Sequence, residues 1–242
     1  MKFGLTVLFE DDALIAFDKP SGLLVAPDRW DKDRPNLMDM VHRELSPEWF
    51  NAHRLDCDAS GVLLCAKTKE VLKDVCRFFE RGGIPKEYLA LTRGVPREEK
   101  GTIRLALRPD ESRPGRMHVV SEKRGKACET VYEVVERWHN HALVRLNPLT
   151  GRTHQIRVHL AALGTPIIGD AFYGNGRPLL LSELKPGYKF KRDVPEKPLL
   201  GRLALHSHKL SFSHPVTHAP VTIESPLPKD FQISIKYLRR WA

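Results

Sequence analysis

The sequence predicts an α+β fold. Three observations predict it. Apolar residues alternate with polar ones through 127–138 and 141–149, on either side of a His139-Asn140 turn, which is the mark of an antiparallel hairpin. Helical spacing is confined to short segments, chiefly 37–45, 69–83 and 153–164. Strand-like and helix-like stretches then mix without the regular βαβ rhythm of a parallel, doubly wound sheet.

Taken in order, residues 6–18 read as two short strands around the acidic turn Asp11-Asp12, stopped by Pro20-Ser21-Gly22. Segment 37–45 is a helix with Leu37, Met40, Val41 and Leu45 on one side. Residues 50–56 and 61–66 are strands flanking a polar turn. A helix over 69–83 turns Val71, Leu72, Val75, Phe78 and Phe79 inward and stops at Gly82-Gly83. Segment 86–94 is a strand, followed by the hairpin. Helix 153–164 carries an apolar stripe of Ile156, Leu160 and Leu163, with His154, Arg157 and Ala161 on another face. Thr153 is its expected N-cap and Gly164 its stop. Strands near 202–212 and 221–225 and a short basic helix close the chain. Two long basic connections, about 108–126 and 175–200, interrupt the pattern; loops of that length commonly carry function.

A chain of 242 residues makes one large domain or two small ones. No apolar run approaches the ~18 residues of a membrane span, and the N-terminus shows no signal peptide. Cys57, Cys65, Cys76 and Cys128 form no CxxC pair, which favours reduced thiols and a cytoplasmic location. The net charge of +9 suits a polyanionic partner, since each cation set against a phosphate releases a counterion; a basic enzyme with no nucleic acid partner is the alternative. The first connection holds Arg113 and Arg116; in the second, Lys189 and Lys191 alternate with Tyr188 and Phe190, a mixture suited to phosphate and base contacts.

Most familiar sites find no support. There is no GxGxxG after a strand, no GxxxxGK[ST], no GxSxG and no HExxH. His214 with His218, or His53 with Cys57, would be weak metal candidates. Asp56 and Asp58 leave a carboxylate dyad possible but unsupported. What stands out is Asp56 in "HRLD". An arginine nearby would hold such a carboxylate ionised and oriented, competent as nucleophile or proton acceptor; the alternative is an ordinary strand-end ion pair.

Three segments read together change the balance. "HRLDCDASGVLLCAK" (53–67), "KEYLALTRG" (86–94) and "PLTGRTHQIRVHLAALGTPIIGDAFYG" (148–174) resemble, in order and spacing, blocks of the RluA family of RNA pseudouridine synthases. Segments 8–27, 113–134 and 201–228 extend the likeness over nearly the whole chain. The resemblance implies one pseudouridine synthase domain over 1–242, with a mixed, mostly antiparallel sheet flanked by helices and a cleft across it. It implies an isomerase that moves the uracil–ribose bond from N1 to C5 and needs no cofactor or metal. The N-terminal S4 RNA-binding domain of many members is expected to be absent, leaving RNA contact to the basic connections and to Lys236, Arg239, Arg240 and Trp241.

Carried over by motif, Asp56 is the essential aspartate, Arg157 the arginine that pairs with it, and Tyr88 the aromatic residue packed on the uracil. Ile156 packs beside the base, and Arg54 helps to hold the target nucleotide flipped out of its stack. His53, Lys86, Arg152 and Gln155 are expected near the substrate, with His53 and Gln155 open to a purely structural role. Ala59 replaces the usual Thr, removing a hydroxyl beside the turn, and Cys128 replaces a small Ala. The expected partner is ribosomal RNA of the large subunit or transfer RNA, bound by a monomer. A non-catalytic RNA-binding protein on the same fold and a metal-dependent hydrolase are the competing readings.

Overall fold

The structure, a computed structural model, describes residues 4–28, 31–80, 84–190 and 193–242. In chain order its elements are β1 (Thr6–Glu10), β2 (Leu14–Lys19), α1 (Leu37–Glu44), β3 (Phe50–Asn51), β4 (Ser60–Ala66), α2 (Lys69–Glu80), β5 (Lys86–Arg93), β6 (Lys100–Pro109), β7 (Met117–Val120), a 3-10 turn (Glu122–Arg124), β8 (Lys126–Arg137), β9 (His141–Pro148), α3 (Gln155–Ala162), α4 (Leu181–Leu184), β10 (Leu205–Ser213), β11 (Pro220–Glu224) and α5 (Lys229–Trp241). They sort into two compact units: residues 1–88 with 206–226, and 89–205 with 227–242.

The first unit orders its strands β1-β2-β4-β10, with β3 on β4 and β11 on β10. The β2/β4 and β10/β11 pairs are antiparallel; β4/β10 is parallel, with Ser60 opposite His206 and Gly61 opposite Ser207. All seven residues of β4 are buried, so its apolar run reads as a strand covered on both faces. Gly61 is needed there: a Cβ would stand 2.1 Å from the Ser207 carbonyl oxygen, and φ is +110°. The core joins Leu14, Val62 and Leu64 of the sheet to Val71 and Val75 of α2 and to Leu210 and Ile223. In the second unit the order is β5-β9-β8-β6-β7, and β8 pairs antiparallel with both β6 and β9. The sheets are thus mixed and mostly antiparallel, as expected of an α+β chain.

Several expectations need correction. The strand expected over 50–56 is cut to Phe50–Asn51, because the rest turns to present Asp56. In α1, Met38 is buried in place of Met40, and Leu45 is 43% exposed. The Gly82-Gly83 stop lies outside the described residues. The connection 108–126 is mostly hairpin: Ala106–Pro109 pair with Met117–Val120, leaving a short loop over 110–116. Thr153 does not cap α3. His154 does so by position, in the left-handed region at φ 54°, with no side-chain cap bond. Helix α3 is buried from Gln155 to Leu160 while Leu163 is 41% exposed, so the apolar stripe does not describe it. Gly164, at φ +76°, ends it as expected.

Candidate active site

In the first unit Asp56 sits on a turn closed by the Ala59 N–H to the Asp56 carbonyl (3.2 Å). The turn is fixed from several sides. The Gly22 N–H donates to the Cys57 carbonyl (2.9 Å), and the Ser21 hydroxyl donates to the Asp58 carbonyl (2.5 Å). Lys19 lies beneath with no exposed surface, and its ammonium donates to the carbonyls of Pro20 (2.8 Å), Leu23 (2.7 Å) and Cys57 (2.9 Å). Three acceptors match the three donors of a charged lysine. Sequence reasoning missed Lys19; its only signal was a lysine ending an otherwise buried strand. Ala59 is buried inside the turn. The neighbouring Cys57 thiol is raised by burial and by Asp58, against the pull of Arg34 and Lys19, so it is kept as a thiol instead of a nucleophilic thiolate.

His53 straps this turn to the sheet. Its Nε2 accepts from the Leu64 N–H (3.0 Å), so that nitrogen carries no proton. Burial, aided by the Lys86 charge, pushes the ring down to about 4. His53 and Lys86 both lie against Phe79, at 5.0 Å between ring centroids and 5.5 Å from Nζ to centroid. Arg54 is exposed. Tyr88 is buried at the start of β5, and burial pushes its phenol up to about 12; the Ser207 side chain opposes this shift and the Asp56 charge adds to it. The Asp56 carboxylate is therefore close enough for its charge to reach the Tyr88 hydroxyl.

The second unit holds Arg152, Gln155, Ile156 and Arg157. Gln155 uses every position of its amide. Oε1 accepts from the Arg152 N–H (3.1 Å) and the Thr150 hydroxyl (2.7 Å), and Nε2 donates to the Glu129 carbonyl and Thr130 Oγ1 (both 2.9 Å). It builds the entry to α3. Ile156 is buried and Arg152 exposed. Arg157 makes a two-pronged bond to Asp170, Nε to Oδ2 at 2.8 Å and Nη2 to Oδ1 at 2.9 Å, with side chains 5% and 1% exposed. Phe172 and Tyr173 lie 5.2 and 5.3 Å from its guanidinium. Their backbone N–H groups donate to Asp170 Oδ1. Burial alone would raise the Asp170 carboxyl, but Arg157 and these N–H groups together hold it below the usual carboxylate range. Asp170 was not foreseen, although it is the only carboxylate between Glu136 and Glu183.

The basic connections divide. Arg113 pairs with Asp110 (2.8 Å), and Arg116 donates to the Phe172 carbonyl (2.9 Å) with its guanidinium over that ring. Both are held against the protein. The Tyr173 hydroxyl accepts from the Met117 N–H (2.7 Å) and bonds His154 Nδ1 (2.8 Å), tying the hairpin to the entry of α3. Lys189 is exposed beside the edge-to-face pair Tyr188–Phe190; Lys191 lies outside the described residues. Arg239 pairs with Glu136, while Arg240 stacks on Trp241. His214, the weak metal candidate, accepts from the Val216 and Thr217 N–H groups and so closes its own turn. Among the described residues no cluster of three or more His, Cys, Asp or Glu is placed to hold a metal, and no helix is long and apolar enough to cross a membrane.

A buried tyrosine within the field of a turn-borne aspartate, and a buried arginine locked by a second aspartate, stand at three of the motif positions, Tyr88, Asp56 and Arg157. Comparison with known proteins settles the family. The model of the RNA pseudouridylate synthase family matches residues 13–162. The chain is 35% identical over 224 residues to the dual-specificity RNA pseudouridine synthase RluA of Escherichia coli strain K12, covering 92% of this chain and 93% of that protein. The chain belongs to the RluA family of RNA pseudouridine synthases. It is also 31% identical to the ribosomal large subunit pseudouridine synthase D of Xanthomonas campestris, over 97% of this chain and 70% of that protein. Among solved structures, human RNA pseudouridylate synthase domain containing 1 aligns with a TM-score of 0.72 at 27% identity, covering 94% of this chain and 85% of that one. As a family member the chain is an isomerase that converts uridine in RNA to pseudouridine, and the catalytic reading prevails over a binding-only one.

Proposed function

We propose that Asp56 drives this isomerisation on a uridine flipped from its stack in ribosomal or transfer RNA. The supporting observation is the charge of Asp56, held on a multiply anchored turn and reaching the buried Tyr88. The N1–C1′ bond breaks, the base turns, C5 bonds to C1′, the C5 hydrogen leaves as a proton, and the freed N1 takes one up from solvent, so that the product is an isomer of the substrate. Asp56 either attacks C1′ or takes a ribose proton. Tyr88 offers its ring face to the uracil and Ile156 an apolar wall. Arg157, oriented by Asp170, supplies the positive charge that the family pattern pairs with Asp56. Arg54 meets the backbone of the flipped nucleotide, with Lys86 and Arg152 beside the substrate. His53 and Gln155 position the turn and the α3 entry. Both units serve one catalytic domain, acting as a cytoplasmic monomer; the four free cysteines suit a reducing compartment.

The test is tritium release from RNA labelled at uridine C5, with transfer RNA and large-subunit ribosomal RNA offered separately. Release by the wild type, abolished in Asp56→Asn, is the expected result. The RNA that loses label names the substrate class. Wild-type release by Asp56→Asn would refute the role of this aspartate.

A further inference from the structure

A cavity of about 500 Å³ opens in the second unit between the β6–β7 hairpin, the 3-10 turn and the loop that enters α3. Its volume falls in the ~300–1,000 Å³ range of small-ligand sites. Leu107 and Met117 give it an apolar floor. Gly125 lets the turn close against β6: a Cβ there would stand 2.5 Å from Val120 Cγ2 and 3.1 Å from the Leu107 backbone. Cations surround the opening, namely Arg108, Lys123, Arg124, Lys126 and Arg152.

Several surface cations of this unit are matched to acids, among them Arg104 to Glu129, Arg145 to Glu133, Arg202 to Asp230 and Arg239 to Glu136. Around the cavity that pairing stops. Arg108 has Glu111, but among the described residues Lys123, Arg124, Lys126 and Arg152 have no carboxylate partner. No carboxylate or side-chain amide lines the cavity either; apart from the Thr153 hydroxyl, its polar side chains only donate. Four unmatched donors above an apolar floor suit a ligand that is anionic at its rim, rich in acceptors and flat enough to stack. Phosphodiester oxygens with an attached base meet all three demands.

We propose that this cavity holds a second nucleotide of the substrate RNA, distinct from the target uridine. Its phosphate meets Lys123, Arg124 and Lys126, and its base lies on Leu107 and Met117. The inference rests on the reading of this chain as acting on RNA. The wall formed by 151–153 runs directly into α3, whose second and third residues are Ile156 and Arg157, so the held nucleotide is a near neighbour of the target in the same RNA. This moves the phosphate contacts of the hairpin away from Arg113 and Arg116, which Asp110 and Phe172 already hold.

The test measures affinity against salt concentration with unmodified transfer RNA and with a large-subunit ribosomal RNA transcript. Three variants are compared with the wild type: Lys123→Ala with Lys126→Ala, Met117→Trp, and Arg104→Ala as a paired surface control. Loss of two phosphate contacts lowers the slope of log affinity against log salt by about 1.4 for single-stranded RNA. Met117→Trp crowds the apolar floor without changing charge and weakens binding at least several-fold. Arg104→Ala keeps the wild-type slope. A wild-type slope in the double variant, or wild-type affinity in a folded Met117→Trp, overturns the assignment. Turnover is scored apart: Asp56→Asn tests the isomerase reading through tritium release and does not enter the salt slope.

Discussion

Replacing Asp170 by Asn changes one atom in a buried site and has a large expected effect. The Asp170 carboxylate accepts four bonds: Oδ2 from Arg157 Nε, and Oδ1 from Arg157 Nη2 and from the Phe172 and Tyr173 N–H groups. An Asn keeps the three acceptor bonds at Oδ1 and points an NH₂ at Nε–H, so one charge-assisted bond becomes a donor–donor clash. More importantly, the buried Arg157 guanidinium loses the charge of the carboxylate that holds it from two sides. Breaking a buried pair from one side costs ~3–5 kcal/mol, a large share of a domain's ~5–15 kcal/mol. For a chain of this size each kcal/mol moves Tm by ~2–4 °C, so a fall of about 6–20 °C is expected by calorimetry. Below the new Tm, single-turnover isomerisation should also fall, because the guanidinium has lost its fixed orientation. A Tm within about 2 °C of wild type would refute the claim that this pair supports the α3 site. In the wild type the Asp170 carboxyl lies below its ordinary value, so its contribution is full above the unfolded pKa and is lost as pH falls through the folded one.

Tyr88→Phe keeps the ring and removes a phenol that stays neutral until about pH 12, so isomerisation should hold within about tenfold; a drop beyond the ~100-fold scale of general acid–base catalysis would give the hydroxyl a chemical role. His159 has no exposed surface, its ring nitrogens have no partner among the described residues, and burial pushes it down to about 4. The unfolded chain binds that proton near 6.5, so stability should decline as pH falls from about 6.5 toward 4, and His159→Leu should flatten a plot of Tm against pH over that window. An equally steep plot for the variant would clear His159 of this role and leave His53 and His141, both also lowered by burial, as the sources. Gly61→Ala must part β4 from β10 or strain a φ of +110°, and a loss of about 3 kcal/mol or more in urea unfolding is expected; wild-type stability would show that the two strands can yield.

Much of this was legible in the sequence because it is local. The hairpin of β8 and β9 announces itself by alternation, β4 by an unbroken apolar run, and Gly164 stops α3 where a left-handed residue is needed. Asp56, Tyr88 and Arg157 were legible as motif positions. What failed depends on partners far along the chain. Residues 100–109 are a strand because β8 pairs with all but their last two, a long-range fact hidden by Arg104, Arg108 and Pro109. His154 occupies the cap of α3 because Tyr173 holds its ring, and no propensity anticipates that. Asp170 stands thirteen residues after Arg157, beyond any helical or strand spacing. Arg116 was read as an RNA contact, but the Phe172 carbonyl that holds it stands 56 residues on; Arg113 was read the same way although its acid, Asp110, is close by in the sequence.

The ammonium of Lys19 gives the enzyme a built-in clock. Shut beneath the Asp56 turn, with its donors directed at three carbonyls, it is hidden from acylating reagents in the closed state. Only an opening of the turn exposes it, so acylation of Lys19 reports how often the turn that carries Asp56 opens. Each such event is irreversible: the acylated amine has neither the charge nor enough donors to let the turn close again. The ageing of this enzyme in the presence of reactive acyl donors should therefore follow the local breathing of one turn well before the fold as a whole gives way.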